Sequence, residues 1–217
     1  MRRLLRLDGR GEPTFTEDRW QVIEDSTTDP ADLPAGPVLV PLKCWDAHRD
    51  VLRARAARSA GANGSGNGNG SGNDTGIGTG SDTVAGNGTG TGKDDGGNDG
   101  DLGVWLDSDQ EAEAIADDLP LLAIVALNFP VFSDGRSLSN AVLLRTRFGW
   151  RGELRAIGDV QRDQLAYMRR CGFDAFAIRA DLDPEAAAAG LRVMSDHYQG
   201  DVHEPRPAFL RMDRPAA

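Results

Sequence analysis

The chain has 217 residues, a formal net charge of -10 and two cysteines. That acidity excludes a nonspecific nucleic-acid binder, whose affinity comes from neutralising phosphates. Cys44 and Cys171 stand alone, which excludes CxxC zinc or iron–sulfur spacing, and no apolar run approaches the roughly 18 residues of a membrane span.

The first 12 residues, MRRLLRLDGRGE, are charged and lack the apolar stretch of a secretory signal, so a cytoplasmic location is expected. Residues 1–36 are polar with scattered apolar positions. A short strand or hairpin is expected near residues 20–23, followed by a Pro-punctuated loop. Residues 38–42 form an apolar run after Pro37 and read as a buried strand. Residues 46–57 are rich in Ala and Arg, with Val51 and Leu52 on one face, and read as a helix.

From about residue 59 to residue 101, Gly, Asn, Ser, Thr and Asp dominate. Such a stretch cannot bury enough apolar area to offset its ordering entropy, so a long disordered, acidic insert is expected. Its Gly-x-Gly-x-x-Gly spacings arise from composition, with no strand–turn–helix around them.

Residues 104–106 read as a strand. Ser108 with Glu111 has the pattern of a capping box for a helix through Ala116. Residues 121–127 are seven consecutive apolar residues, as in a strand covered on both faces. Residues 137–148 have helical spacing, with Ser137 as the expected cap and Gly149 at the stop. Residues 153–157 read as a strand, and Asp159 as the N-cap of a helix running to Arg170 and stopped by Gly172. A strand at 175–178 and a helix opened by Asp183-Pro184 and running to about Tyr198 complete the pattern.

Strands alternating with helices predict an α/β fold with a mainly parallel sheet of about five βα units. It is either an open doubly wound sheet or an incomplete (β/α) barrel. The expected organisation is one domain: residues 1–58 with the first βα unit, the insert 59–101, the remaining units over 102–200, and a flexible tail 201–217.

In such folds ligands bind beyond the C-terminal ends of the strands. Asp134 and Arg136 occupy a turn before a helix start, where an Arg and free backbone N–H groups attract an anion. The same residues also make an ordinary turn with a surface Arg. Glu153 and Arg155 share one face of a strand, anomalous in a parallel sheet. They form either an internal ion pair or a ligand-facing pair. Asp159 is a helix cap or a catalytic carboxylate. Asp163, four residues on and next to Gln164, would share its helix face. Arg170 and Cys171 end that helix.

The stretch FPVFSDGRSLSNAVLLRTRFGWRGELRAIGDVQRDQLAYMRRCGFDAF closely resembles a bacterial family known as domain of unknown function 934. The likeness rests on FP-x-F-x-DGR, LLR, GELRA-x-GDV, DQ and M-x-RCGFD. Members accompany sulfite-reductase genes and are labelled oxidoreductases of sulfite reduction. The resemblance implies a cytoplasmic role in assimilatory sulfur metabolism. It nominates Asp134, Arg136, Arg155, Asp163, Gln164 and Arg170 as contacts to a small oxyanion, and Asp159 and Glu153 as proton-handling groups.

No flavin, nicotinamide, siroheme or iron–sulfur motif is visible, so the cofactor is unassigned. Any redox step must borrow its electrons from a cofactor or partner. Two readings therefore stay open beside a purely structural one. The chain is an oxidoreductase or redox accessory acting on a sulfur oxyanion, or a non-catalytic partner docking on sulfite reductase or its electron donor. No nucleic acid, membrane or metal partner is expected.

Overall fold

The computed structural model describes residues 3–8, 11–63, 100–179, 181–191 and 197–211. Eight strands form a single sheet: β1 (Arg3–Leu7), β2 (Pro13–Glu17), β3 (Gln21–Val22), β4 (Val38–Pro41), β5 (Leu102–Leu106), β6 (Ile124–Phe129), β7 (Glu153–Gly158) and β8 (Ala175–Ile178). Their order is β2-β1-β8-β7-β6-β5-β4-β3. From β3 to β8 all neighbours are parallel, whereas β1 runs antiparallel to both β2 and β8. The expectation of five parallel strands is therefore corrected to eight in a mixed sheet. The N-terminal hairpin was missed because β1, Arg-Leu-Leu-Arg-Leu, has no strict alternation and β2 has one large apolar residue, Phe15.

The parallel strands follow one another in chain order, with no reversal, so the doubly wound alternative is excluded and the sheet curls as a half-barrel. The connection between the two edge strands shows why it must curl. β2 and β3 lie at opposite edges, yet only residues 18–20 separate them. The four steps from Glu17 to Gln21 reach at most ~14 Å, whereas a flat sheet of eight strands would be ~34 Å wide.

Right-handed crossovers place the helices on one face. These are α1 (Leu42–Ala47), α2 (Arg49–Asn63), α3 (Arg136–Thr146), α4 (Leu165–Cys171) and α5 (Pro184–Gly190), joined by a 3-10 segment at Ala112–Leu121 and a last short helix, α6 (Ala208–Arg211). Against them pack Val38, Val40, Val104, Leu106, Val125, Leu127, Leu154 and Phe176 in one large core. This double coverage is why β4 and β6 read as unbroken apolar runs. The opposite, concave face holds a smaller cluster of Leu4, Leu39, Ile124, Ala126, Ile157, Ala175 and Ala177, lidded by Trp20, Val22 and Trp105. It is crowded: a Cβ on Gly103 would come within 2.2 Å of Ile124 Cγ2.

Several local expectations change. α2 continues to Asn63, so residues 59–63 are helical rather than insert; residues 64–99 lie outside the described residues. The two arms of the excursion meet where the Asp101 amide donates to Ser59 Oγ at 3.4 Å. The capping box at Ser108 does not form. Glu111 stands at the cap position without a side-chain bond, because the Ser108 hydroxyl is taken by Arg136. Ser137 does not cap α3 but donates to the Asn128 carbonyl at 2.6 Å. Asp159 is not a cap either: a 3-10 turn at Arg162–Gln164 precedes α4.

Gly172 does end α4, in the left-handed conformation with φ 106°. Asp183 caps α5 through the Ala186 amide, and α5 ends at Gly190 rather than near Tyr198; residues 192–196 lie outside the described residues. Residues 201–211, read above as tail, pack back on α4: the Val202 amide donates to the Arg170 carbonyl at 3.2 Å.

Candidate functional site at the C-terminal strand ends

Asp107 and Ser108 follow β5, Asn128 and Phe129 end β6, Gly158 ends β7 with Asp159 following it, and Arg179 follows β8, so the topology brings these groups to one rim. The loop 130–135 lies across it. Asp107 Oδ1 accepts from the Ser108 amide at 2.8 Å and from Asn128 Nδ2 at 3.1 Å. Gly158 sits against the end of β6 with φ 92°; a Cβ there would fall 2.4 Å from the Phe129 carbonyl oxygen and 2.5 Å from Asn128 Oδ1. Only glycine permits this turn.

Arg136 grips Asp134 with both arms, Nε at 3.0 Å and Nη2 at 2.7 Å, and also donates Nη2 to Ser108 Oγ at 2.9 Å. The guanidinium, foremost, and Ser108 hold the Asp134 carboxyl far below the usual carboxylate range. Arg179 is engaged likewise by Asp181 at 2.9 Å and Asp159 at 3.4 Å. Both rim cations thus arrive with carboxylate partners from their own chain.

The central piece is the backbone of Phe132. Its amide donates to Asp159 Oδ2 at 3.1 Å, and its carbonyl accepts from Gln164 Nε2. Gln161 steadies Asp159 with a bond of 3.1 Å. The loop backbone is therefore held from both sides, while the apolar side chains point outward: Val131 is 52% exposed and Phe132 is 56% exposed.

The eight nominated residues fall into separate places. Asp134, Arg136, Asp159 and Gln164 meet at the rim around the loop. Asp163 is exposed and does not share a helix face with Asp159, which precedes the helical turns. Glu153 and Arg155 face the concave interior. Arg155 is 1% exposed and bonds Glu153 at 2.7 Å and Asp18 at 2.7 Å, and Glu153 also pairs with Arg6 at 2.6 Å. Of the two readings of this pair, the internal network is observed. It leaves Glu153 between two guanidiniums, those of Arg6 and Arg155. Arg170 lies at the far end of α4, donating to the Gln199 carbonyl at 3.2 Å.

Asp18 and Phe132 were missed. Asp18 has no sequence signal beyond its place between two short strands. Phe132 had one, an apolar residue inside a turn. Burial raises the thiols of Cys44 and Cys171 above the ordinary value, so neither is poised as a nucleophile. Among the described residues no group of His, Cys, Asp and Glu could hold a metal ion, and no helix is long and apolar enough to cross a membrane.

No curated protein matches the chain. Residues 103–209, from β5 through α6, match the family model described as bacterial protein of unknown function (DUF934). That span contains the loop, its two clamping side chains and the whole motif quoted above. Through it the chain belongs to the DUF934 family.

Proposed function

We propose that this chain is a non-catalytic accessory protein of assimilatory sulfite reduction, acting in the cytoplasm. It docks on sulfite reductase or its electron donor through the loop 130–135. The observation that carries docking is the Phe132 clamp: a solvent-facing aromatic on a backbone fixed by Asp159 and Gln164. Pre-ordered aromatic anchors ringed by polar groups are what interface hot spots are made of. The partner surface should offer an apolar pocket flanked by both signs of charge, matching the Arg136–Asp134 and Arg179–Asp181 pairs at the rim. The sulfur context is supported by the motif resemblance.

The internal pairing of Arg136 favours docking over oxyanion chemistry, because an anion there would have to displace Asp134. The test is biolayer interferometry of the purified chain against purified sulfite reductase and its electron donor. Phe132→Asp is expected to weaken binding at least about tenfold, the loss of one hot-spot anchor, with Tm unchanged. Binding unaffected by Phe132→Asp would overturn the docking surface. A Tm rise with sulfite that vanishes in Arg136→Ala would instead restore the oxyanion reading.

A further inference from the structure

A second concentration of guanidinium groups lies at the opposite end of the sheet. α4 ends at Gly172, just before β8 begins, so Arg169 and Arg170 project near the N-terminal ends of the strands. Arg169, Arg170 and Arg211 line a groove of about 470 Å3, together with His197 and His203. That size falls within the range of small-molecule sites.

Asp201 and Glu204 also line it, and each is occupied. Asp201 accepts the amides of His203 and Glu204, each at 2.9 Å, and lies 3.5 Å from Arg170 Nε. Glu204 is held by Arg206, Nε and Nη2 each at 3.0 Å. With those pairs matched, Arg169 and Arg211 remain. Arg211 donates Nη2 to the His197 carbonyl at 2.6 Å, but its Nε is buried without an acceptor. The Arg169 guanidinium has no hydrogen bond or salt bridge to any of the described residues.

Buried donors that lack an acceptor are costly and rare in folded proteins. Two guanidiniums with free N–H groups on one groove match a tetrahedral oxyanion, whose oxygens accept from several forks at once. An inorganic ion would fill only part of the volume. Ala166 and Leu191, in the same wall, suit an organic body.

We propose that this groove binds a small organic molecule through a doubly or singly charged tetrahedral ester group, phosphate or sulfate, with Arg169 and Arg211 as its contacts. The site is separate from the Phe132 loop and independent of the docking proposal. Calorimetric titration of the full chain with phenyl phosphate, phenyl sulfate, inorganic phosphate and inorganic sulfate, at ionic strength held constant with sodium chloride, tests it. One of the esters is expected to bind at least tenfold more tightly than its inorganic ion, and which ester does so distinguishes the two sources. Arg169→Gln should weaken that binding tenfold or more while leaving Tm in chloride nearly unchanged, since its guanidinium packs against Gly11 without a hydrogen bond or salt bridge to the described residues. Arg211→Gln should weaken it comparably. Failure of all four probes at millimolar concentration, equal binding of ester and ion, or full binding by Arg169→Gln would each overturn the proposal.

Discussion

Replacing Arg155 with Met should be the most damaging single change on the concave face. The guanidinium is 1% exposed and is the only group joining Asp18, from the segment between the edge strands, to Glu153 on β7 among the described residues. Met fills comparable volume, so the cost is electrostatic. Glu153 keeps Arg6 at 2.6 Å, but Asp18, its side chain 10% exposed, keeps only the Trp20 amide at 3.1 Å. Removing one partner from a buried pair costs about 3–5 kcal/mol, and the surviving Arg6 contact places the expected loss near the lower end, about 3 kcal/mol. At about 2–4 °C per kcal/mol, Tm should fall by about 6–12 °C.

Urea unfolding followed by circular dichroism at 25 °C measures the loss, with an unchanged m-value showing that the fold itself persists. The double variant Arg155→Met/Asp18→Asn should recover at least half of it, because the stranded carboxylate is gone. A single-variant loss below about 1 kcal/mol, as for a solvent-screened pair, would refute the reasoning. So would a double variant no more stable than the single.

Other expectations follow from the same geometry. Arg145 reaches the carbonyls of Trp150 (2.8 Å), Gly152 (2.9 Å) and Gly172 (2.9 Å), and also pairs with Asp174. A lysine cannot span that fan, so Arg145→Lys should lose about 2 kcal/mol or more in the same urea assay. Gly158→Ala should cost about 1–3 kcal/mol through its left-handed backbone and shift the Phe132 and Asp159 amide resonances in an NMR spectrum. Cys44 and Cys171 should react with a thiol reagent at pH 8 only after denaturation, because burial raises both thiols. Arg206, foremost, depresses the Glu204 carboxyl from 4.5 to about 2. A depressed acid stabilises the folded form above its unfolded value, so this contribution should persist above pH 4.5 and fade as pH falls towards about 2. The Glu204 carboxyl resonance followed through an acid titration checks it.

Strands covered on both faces were plain in the sequence. The run at 121–127 and the one after Pro37 are apolar without alternation; the second became β4, and the first supplied β6 from Ile124 onward, with Leu121 ending the 3-10 segment. Helix boundaries were equally legible: Gly172 at a stop and Asp183-Pro184 at a start act through local geometry that depends on one or two residues. Side chains with two available uses were not. Ser108, Ser137 and Asp159 each fit a local cap, and each instead bonds a residue from another element. Local preference is worth about 1 kcal/mol, and tertiary partners can outbid it. The nominated site divided for the same reason: strand spacing showed Glu153 and Arg155 on one face, but not that Asp18 would cross the interior to meet them.

The half-barrel also sets an order of events during synthesis. Strands β3 to β7 can pair with their parallel neighbours as each emerges from the ribosome, but β1 must wait for β8, since Leu5 pairs with Phe176. Until then the N-terminal hairpin carries a bare edge that invites pairing with other nascent chains. Charge guards that edge: Arg6 stands among its ladder residues, opposite Ala175. The guanidinium that later meets Glu153 in the finished sheet is thus also placed to discourage the wrong neighbour while the chain is incomplete.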